Sequence, residues 1–205
     1  MWIYVFGSLS RGEVDANSDI DTLCICHPNE LASTPNSMQT YTLDELKEIF
    51  INGDLFAHHL YHESKLIYSS DGTDVIRNLN SPSPYTNWVD DINSFINIAF
   101  YAIEENLLKG QTVFRKGLLY MSLRDIAMIY SNVKMNVSNF SKYSPYQIDI
   151  SLNTNTEEYE ALRLCRISST RGTYNELIHK ELSESCFIHA QEWVNKIYNW
   201  SKSNA

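Results

Sequence analysis

The sequence predicts an α+β protein in two parts. A small mixed sheet with helices is expected over residues 1–75 and an α-helical bundle over 86–205, joined by a linker at 76–85. Three observations predict it. Short apolar runs bounded by turn residues recur up to residue 68. From residue 88 onward the apolar positions take a helical period. Between the two regimes, residues 69–85 hold Gly72, Pro82, Pro84 and several Ser and Asn.

Each element has a local reason. WIYVF at 2–6 reads as a buried strand, and Gly7-Ser8 turns the chain into a short helical turn over 8–13. DIDTLCIC at 19–26 reads as a second strand, and residues 28–36 as a loop rich in Pro, Ser and Asn. MQTYT at 38–42 suggests a third strand. Thr42 and Glu45 then have capping-box spacing ahead of Leu46, Ile49 and Phe50, which predicts a helix from 43 to about 52, stopped near Gly53. A helical piece over 54–63 and a strand at 65–68 complete the first part. Trp88, Ile92, Phe95, Ile96, Ala99, Ile103 and Leu107 share one face of a long helix ending at Gly110. Phe114, Leu118, Leu119, Ile126 and Tyr130 mark a second helix over 112–131. Residues 132–155 look irregular, and further helices are expected at about 156–170 and 174–200.

Composition bounds the function. With 43% apolar and 12% aromatic residues, 205 residues can bury a proper core. The net charge of −9 is uneven: residues 1–80 carry four basic and twelve acidic side chains, residues 81–205 twelve and thirteen. Such a chain has no bulk electrostatic reason to hold duplex DNA, although a metal and a few local arginines suffice for a nucleotide. The four cysteines, Cys24, Cys26, Cys165 and Cys186, have no metal-site spacing and read as buried, reduced thiols of a cytoplasmic protein. No apolar run approaches the ~20 residues of a membrane span, and residues 1–6 are too short for a signal peptide.

The chemistry concentrates in VFGSLSRGEVDANSDIDTLCIC, residues 5–26. On a strand, Asp19 and Asp21 point to one face about 7 Å apart, with Ile20 on the other. Two such carboxylates repel unless a cation sits between them, and hard oxygen ligands suit Mg²⁺ or Mn²⁺. Gly7 lets backbone approach a phosphate closely, the Ser8 hydroxyl is a ready donor to one, and Arg11 lies one helical turn further on.

The order of these parts is an apolar strand, Gly-Ser, ten intervening residues, Asp19-Ile20-Asp21 and a second apolar strand. It resembles the signature of the polymerase-beta-like nucleotidyltransferase superfamily, in particular the small bacterial minimal nucleotidyltransferases. The resemblance covers residues 3–26 and extends loosely to LIYSSD near residue 68. It implies a polymerase-beta-like domain that moves a nucleoside monophosphate from a nucleoside triphosphate to a hydroxyl, with pyrophosphate leaving. It further implies Mg²⁺ or Mn²⁺ on Asp19 and Asp21, and Gly7, Ser8 and Arg11 as nucleotide-binding residues. By the same analogy the chain is expected to act in bacterial anti-phage defence or a toxin–antitoxin pair, with a partner protein encoded nearby and self-association left open. An aminoglycoside-type transferase, which the acidic first part would suit, and an inactive nucleotide-binding protein are the alternatives.

The family's third carboxylate is expected around SMQTYTLDEL, where no apolar-Asp-apolar strand stands; Asp44, Glu63 and Asp54 are the candidates. His58, His59 and His62 gather near Glu63, as a metal site or as packing and polar contacts beside the cleft. Arg163, Arg166, Arg171 and Lys180 form a basic run that either holds phosphates or lies solvated against Glu157, Glu158 and Glu160. Arg124 has no histidine at the spacing of the helical ribonuclease toxins. Tyr198 is either a modifiable hydroxyl or a packing residue beside Trp193 and Ile197.

Overall fold

The computed structural model describes residues 1–33 and 38–205. The fold class is α+β, and the chain divides into two compact units. The first takes in residues 1–87 together with 140–142, the second residues 88–139 and 143–205.

The first unit is built on a four-stranded mixed sheet: β1 (Trp2–Phe6), β2 (Asp21–Cys26), β3 (Gln39–Thr42) and β4 (Lys65–Ser69), in the order β3-β2-β1-β4. β1 pairs antiparallel with both β2 and β4, and β2 runs parallel to β3. Strand alternation sends Tyr4, Phe6, Leu23 and Ile25 to one face. There they are buried with Leu46 and Phe50 of α2 (Leu43–Asn52) and Ala57 and Leu60 of α3 (Leu55–Glu63). The expected capping box forms: the Thr42 hydroxyl accepts from the Glu45 N–H, and the Glu45 carboxylate accepts from the Thr42 N–H. Gly53, in the left-handed conformation, ends α2.

α1 is a single turn, Ser8–Arg11, and β2 begins at Asp21 rather than at residue 19. The register explains the later start. Phe6, the last residue of β1, pairs with Asp21, so β1 has no partner left for Asp19 and Ile20. Of the loop expected at 28–36, residues 28–33 form 3-10 turns and 34–36 lie outside the described residues. Val75–Asn78 form a short helix, α4, with Ile76 fully buried in the same core. The Tyr4 hydroxyl ties this helix down, donating to Asp74 Oδ1 at 2.9 Å and accepting from the Ile76 N–H at 3.2 Å.

The second unit is helical: α5 (Trp88–Lys109), α6 (Val113–Lys134), α7 (Thr156–Arg171) and α8 (Glu184–Asn204). α6 and α7 meet at Gly117, where an added Cβ would stand 2.8 Å from the Cα of Arg166. The expected face of α6 is corrected at Phe114, which is 64% exposed; Leu119, Leu123 and Ile126 carry the core. The helix expected from 174 is corrected too. Residues 176–179 form a 3-10 turn, and α8 starts only after the Ser183 cap. Buried Lys116 supplies a reason. Its ammonium donates to the carbonyls of Ile178 at 2.7 Å and Lys180 at 2.8 Å, groups that a continuing helix would use itself. All four cysteines are buried and unbridged. Among the described residues, no helix is long and apolar enough to cross a membrane.

Candidate active site

The site grows from the end of β1. Gly7 has φ +70° and ψ −143°, a backbone region open essentially to glycine alone. Its carbonyl accepts from the Ser10 N–H at 3.1 Å, the Arg11 N–H at 3.3 Å and the Ser10 hydroxyl at 2.8 Å, which closes the single turn of α1. Asp21 lies across the ladder from Phe6, so its side chain comes up beside this turn. A Cβ on Gly7 would stand 2.3 Å from Asp21 Oδ2. The missing side chain is therefore filled by the carboxylate. Gly7 and Asp21 are one local unit, joined by the antiparallel register.

Asp19 is exposed, in the loop that leads into β2, and Ile20 between the two acids is 68% exposed. That loop is folded rather than merely long. The Asp15 N–H donates to the Ser18 hydroxyl at 2.8 Å, the Asn17 N–H to Asp15 Oδ1 at 2.8 Å and the Ser18 N–H to the Asp15 carbonyl at 3.0 Å. Asp and Ser side chains that satisfy neighbouring N–H groups in this way stabilise a turn.

Arg11 is held by two carboxylates. Its Nε donates to Glu13 Oε2 at 3.0 Å, and its Nη1 donates to Glu63 Oε2. His59 Nε2 lies 2.9 Å from the same Glu63 oxygen. The Phe140 ring stacks on His59 with centroids 4.2 Å apart and planes 19° apart. Arg11, Glu63 and His59 are thus one cluster of the first unit. Two nitrogens of the Arg11 guanidinium are engaged inside the protein, which lowers the charge it offers to a phosphate.

The other residues singled out from the sequence fall as follows. Asp44 stands at the exposed start of α2, 3.4 Å from Lys47 Nζ, and Asp54 precedes α3 as its cap residue. Of the three candidates for a further acid, only Glu63 joins the Arg11 cluster. His58 Nε2 meets the Ser83 carbonyl at 3.1 Å, and burial pulls its pKa down. Among the described residues no group of three or more His, Cys, Asp or Glu could hold a metal ion, which removes the histidine cluster as a metal centre. In the second unit, Arg163 pairs with Glu160 through two bonds of 2.8 and 2.6 Å, and Lys180 pairs with Glu157 at 2.8 Å. Arg163 is itself buried, so its pair with Glu160 is not the solvated face of the plainer alternative, whereas Lys180, just after the 176–179 turn, takes the Glu157 partner that alternative names. Tyr198 is partly buried, with Lys202 Nζ 5.2 Å from its ring centroid.

Sequence reasoning missed Phe140, Ser141 and Lys142. Lys142 Nζ donates to Asp15 Oδ2 at 2.5 Å and to the Glu13 carbonyl at 3.2 Å, and Ser141 Oγ donates to Glu13 Oε1 at 2.8 Å. No signal in an irregular stretch could have joined them to a turn some 127 positions earlier.

Asp19 and Asp21 offer carboxylate oxygens, the donor type of a hard divalent cation, but stand in no group of three or more such ligands among the described residues. The room that Gly7 leaves by lacking a Cβ lets one of these carboxylates stand against the turn. No curated protein matches the chain. Residues 2–62, which hold β1, the Gly7-Ser8 turn, both aspartates, β3, α2 and nearly all of α3, match the family model described as a nucleotidyltransferase domain, of the polymerase-beta-like superfamily, and that similarity implies nucleotidyl transfer from a nucleoside triphosphate.

Proposed function

We propose that the protein is a Mg²⁺- or Mn²⁺-dependent nucleotidyltransferase whose metal-binding and catalytic residues are Asp19 and Asp21. The observation that carries this reading is the packing of the Asp21 carboxylate into the space left by Gly7. It ties the acid to the turn that would carry the triphosphate. When bound, the ion neutralises phosphate charge and activates an attacking hydroxyl. Asp19, in the loop before β2, and Asp21, the first residue of β2, would hold it. Ser8 and the Gly7 backbone anchor the β- and γ-phosphates. Arg11, held by Glu13 and Glu63, lines the same turn. Catalysis then rests on positioning and charge neutralisation, without a covalent enzyme intermediate. The acceptor is a hydroxyl, either a protein Tyr or Ser or the 3′-OH of a nucleotide. A defence or toxin–antitoxin role with a partner encoded nearby rests on family analogy alone.

One observation favours a second reading, nucleotide binding without turnover. Asp44 and Asp54 stand at helix starts and Glu63 is bonded to Arg11 and His59, so none of the three supplies an evident third ligand. The test is to incubate the purified protein with Mg²⁺ or Mn²⁺ and each labelled ribo- and deoxynucleoside triphosphate. Label on the protein identifies a protein hydroxyl, and a ladder identifies a nucleotide acceptor. Tight binding with no pyrophosphate released from any nucleotide supports the second reading and defeats the first.

A further inference from the structure

Residues 140–142 belong by their contacts to the first unit, although the chain on either side belongs to the second. Phe140 and Ser141 are buried, each 2% exposed. Three successive side chains of this segment engage three points of the site. The Phe140 ring lies on His59, Ser141 Oγ donates to Glu13, and Lys142 Nζ reaches both Asp15 and the Glu13 backbone. The contacts with Glu13 and Asp15 fall on the turn that delivers Asp19 to β2.

The division of acceptors is informative. Asp15 Oδ1 takes the Asn17 N–H and shapes the turn, while Oδ2 takes the Lys142 ammonium. Glu13 Oε2 takes Arg11, while Oε1 takes Ser141. Residues 13–21 contain four carboxylates, on Glu13, Asp15, Asp19 and Asp21, and no basic residue. Like charges this close along the chain repel one another, which favours an open segment. A charge-assisted bond to a partly buried ammonium opposes that opening and fixes the direction in which the segment enters β2.

We propose that Lys142 is a positioning residue for the metal-binding carboxylates at 19 and 21, acting through Asp15; this rests on the reading of Asp19 and Asp21 as metal ligands. In this role Lys142 contacts neither the nucleotide nor the ion. Its work is to hold the 13–18 turn closed, so that Asp19 stands near Asp21 before a cation arrives. Pre-ordering of this kind appears as affinity for the cation, because the cost of gathering the two acids has already been met.

The experiment compares the intact protein with its Lys142→Met and Lys142→Arg variants by two readouts. One is amide hydrogen exchange at Asn17 and Ser18 without metal. The other is Mn²⁺ binding followed by electron paramagnetic resonance. For Lys142→Met the expected result is exchange and Mn²⁺ dissociation constants both raised about tenfold, the scale of one lost bond to a charged group. Lys142→Arg keeps a donor at that place and is expected to stay within about twofold of wild type. Should Lys142→Met fail to fold, Ser141→Ala is judged on the same readouts, with a smaller shift in the same direction.

Lys142→Met protein that exchanges and binds Mn²⁺ like wild type overturns the positioning role alone. So does an equal loss in both lysine variants, which marks mere packing. Wild-type protein that binds no Mn²⁺ overturns the metal reading and the positioning role together.

Discussion

Replacing Gly7 with alanine perturbs two things that can be separated. The first is backbone strain. With φ at +70° and ψ at −143°, a residue with a Cβ is forced into a region that costs about 1–3 kcal/mol. For a chain of this size each kcal/mol moves Tm by about 2–4 °C, so Gly7→Ala is expected to melt about 2–12 °C lower. The second is displacement of a carboxylate. The new methyl would stand 2.3 Å from Asp21 Oδ2, far inside contact distance, so the Asp21 side chain must swing away. A misplacement of about 1 Å at a reacting centre can cost roughly 100-fold in rate. Gly12→Ala supplies the control. Gly12 also has a positive φ, +74°, but an added Cβ there meets nothing within 4 Å. It should lose stability through strain alone, about 1–2 kcal/mol, and keep its affinity for Mn²⁺. The assay is thermal melting alongside Mn²⁺ titration and pyrophosphate release for both variants. Gly7→Ala protein that binds Mn²⁺ as tightly as wild type would refute the coupling of Gly7 to Asp21, whatever its Tm.

Two further predictions concern the helical unit. Gly117→Ala places a methyl 2.8 Å from the Arg166 Cα and 2.9 Å from its nitrogen, backbone atoms that cannot step aside. Overpacking of about 1–3 kcal/mol should appear as a lowered Tm, and an unchanged Tm would contradict the α6–α7 contact. Asp125 is pushed up to about 6 by burial, against the opposing pull of Arg124 and Arg166. Its folded-state pKa exceeds the unfolded one, so the stability it adds at low pH is lost as pH rises through about 6. Asp125→Asn removes that titration. Its Tm should gain on wild type steadily between about pH 4 and pH 7, whereas a difference that stays flat across that range would contradict the burial.

Much of the first unit was legible because its signals are local. The β1 and β2 apolar runs, the Thr42–Glu45 capping box and the Gly53 stop each act within a few residues, and each stands where expected. Of the two aspartates expected beside the Gly-Ser turn, Asp21 is packed against Gly7. What failed depends on partners far along the chain. Asp19 was expected on a strand, but strand length is set by the partner, and β1 ends opposite Asp21. Residues 174–183 carry a helical pattern, yet Lys116, some sixty positions away, takes the carbonyls. Phe114 fits the period of α6 and is still exposed, because periodicity gives a face and not what covers it. Lys142 had no pattern at all. Arg11 was read as a phosphate ligand from its spacing, and the structure adds that Glu13 and Glu63 already share it.

The measurement that tests the central claim most directly is pyrophosphate release from nucleoside triphosphates with Mg²⁺ or Mn²⁺, wild type against an Asp19→Ala, Asp21→Ala double variant. Asp19 is exposed and Asp21 lies outside the buried core, so the double variant is expected to fold, and its melting curve checks this. Release by wild type and none above background by the folded double variant is the predicted result. Release at the wild-type rate by the double variant would contradict the assignment of Asp19 and Asp21, and with it the site described at the end of β1.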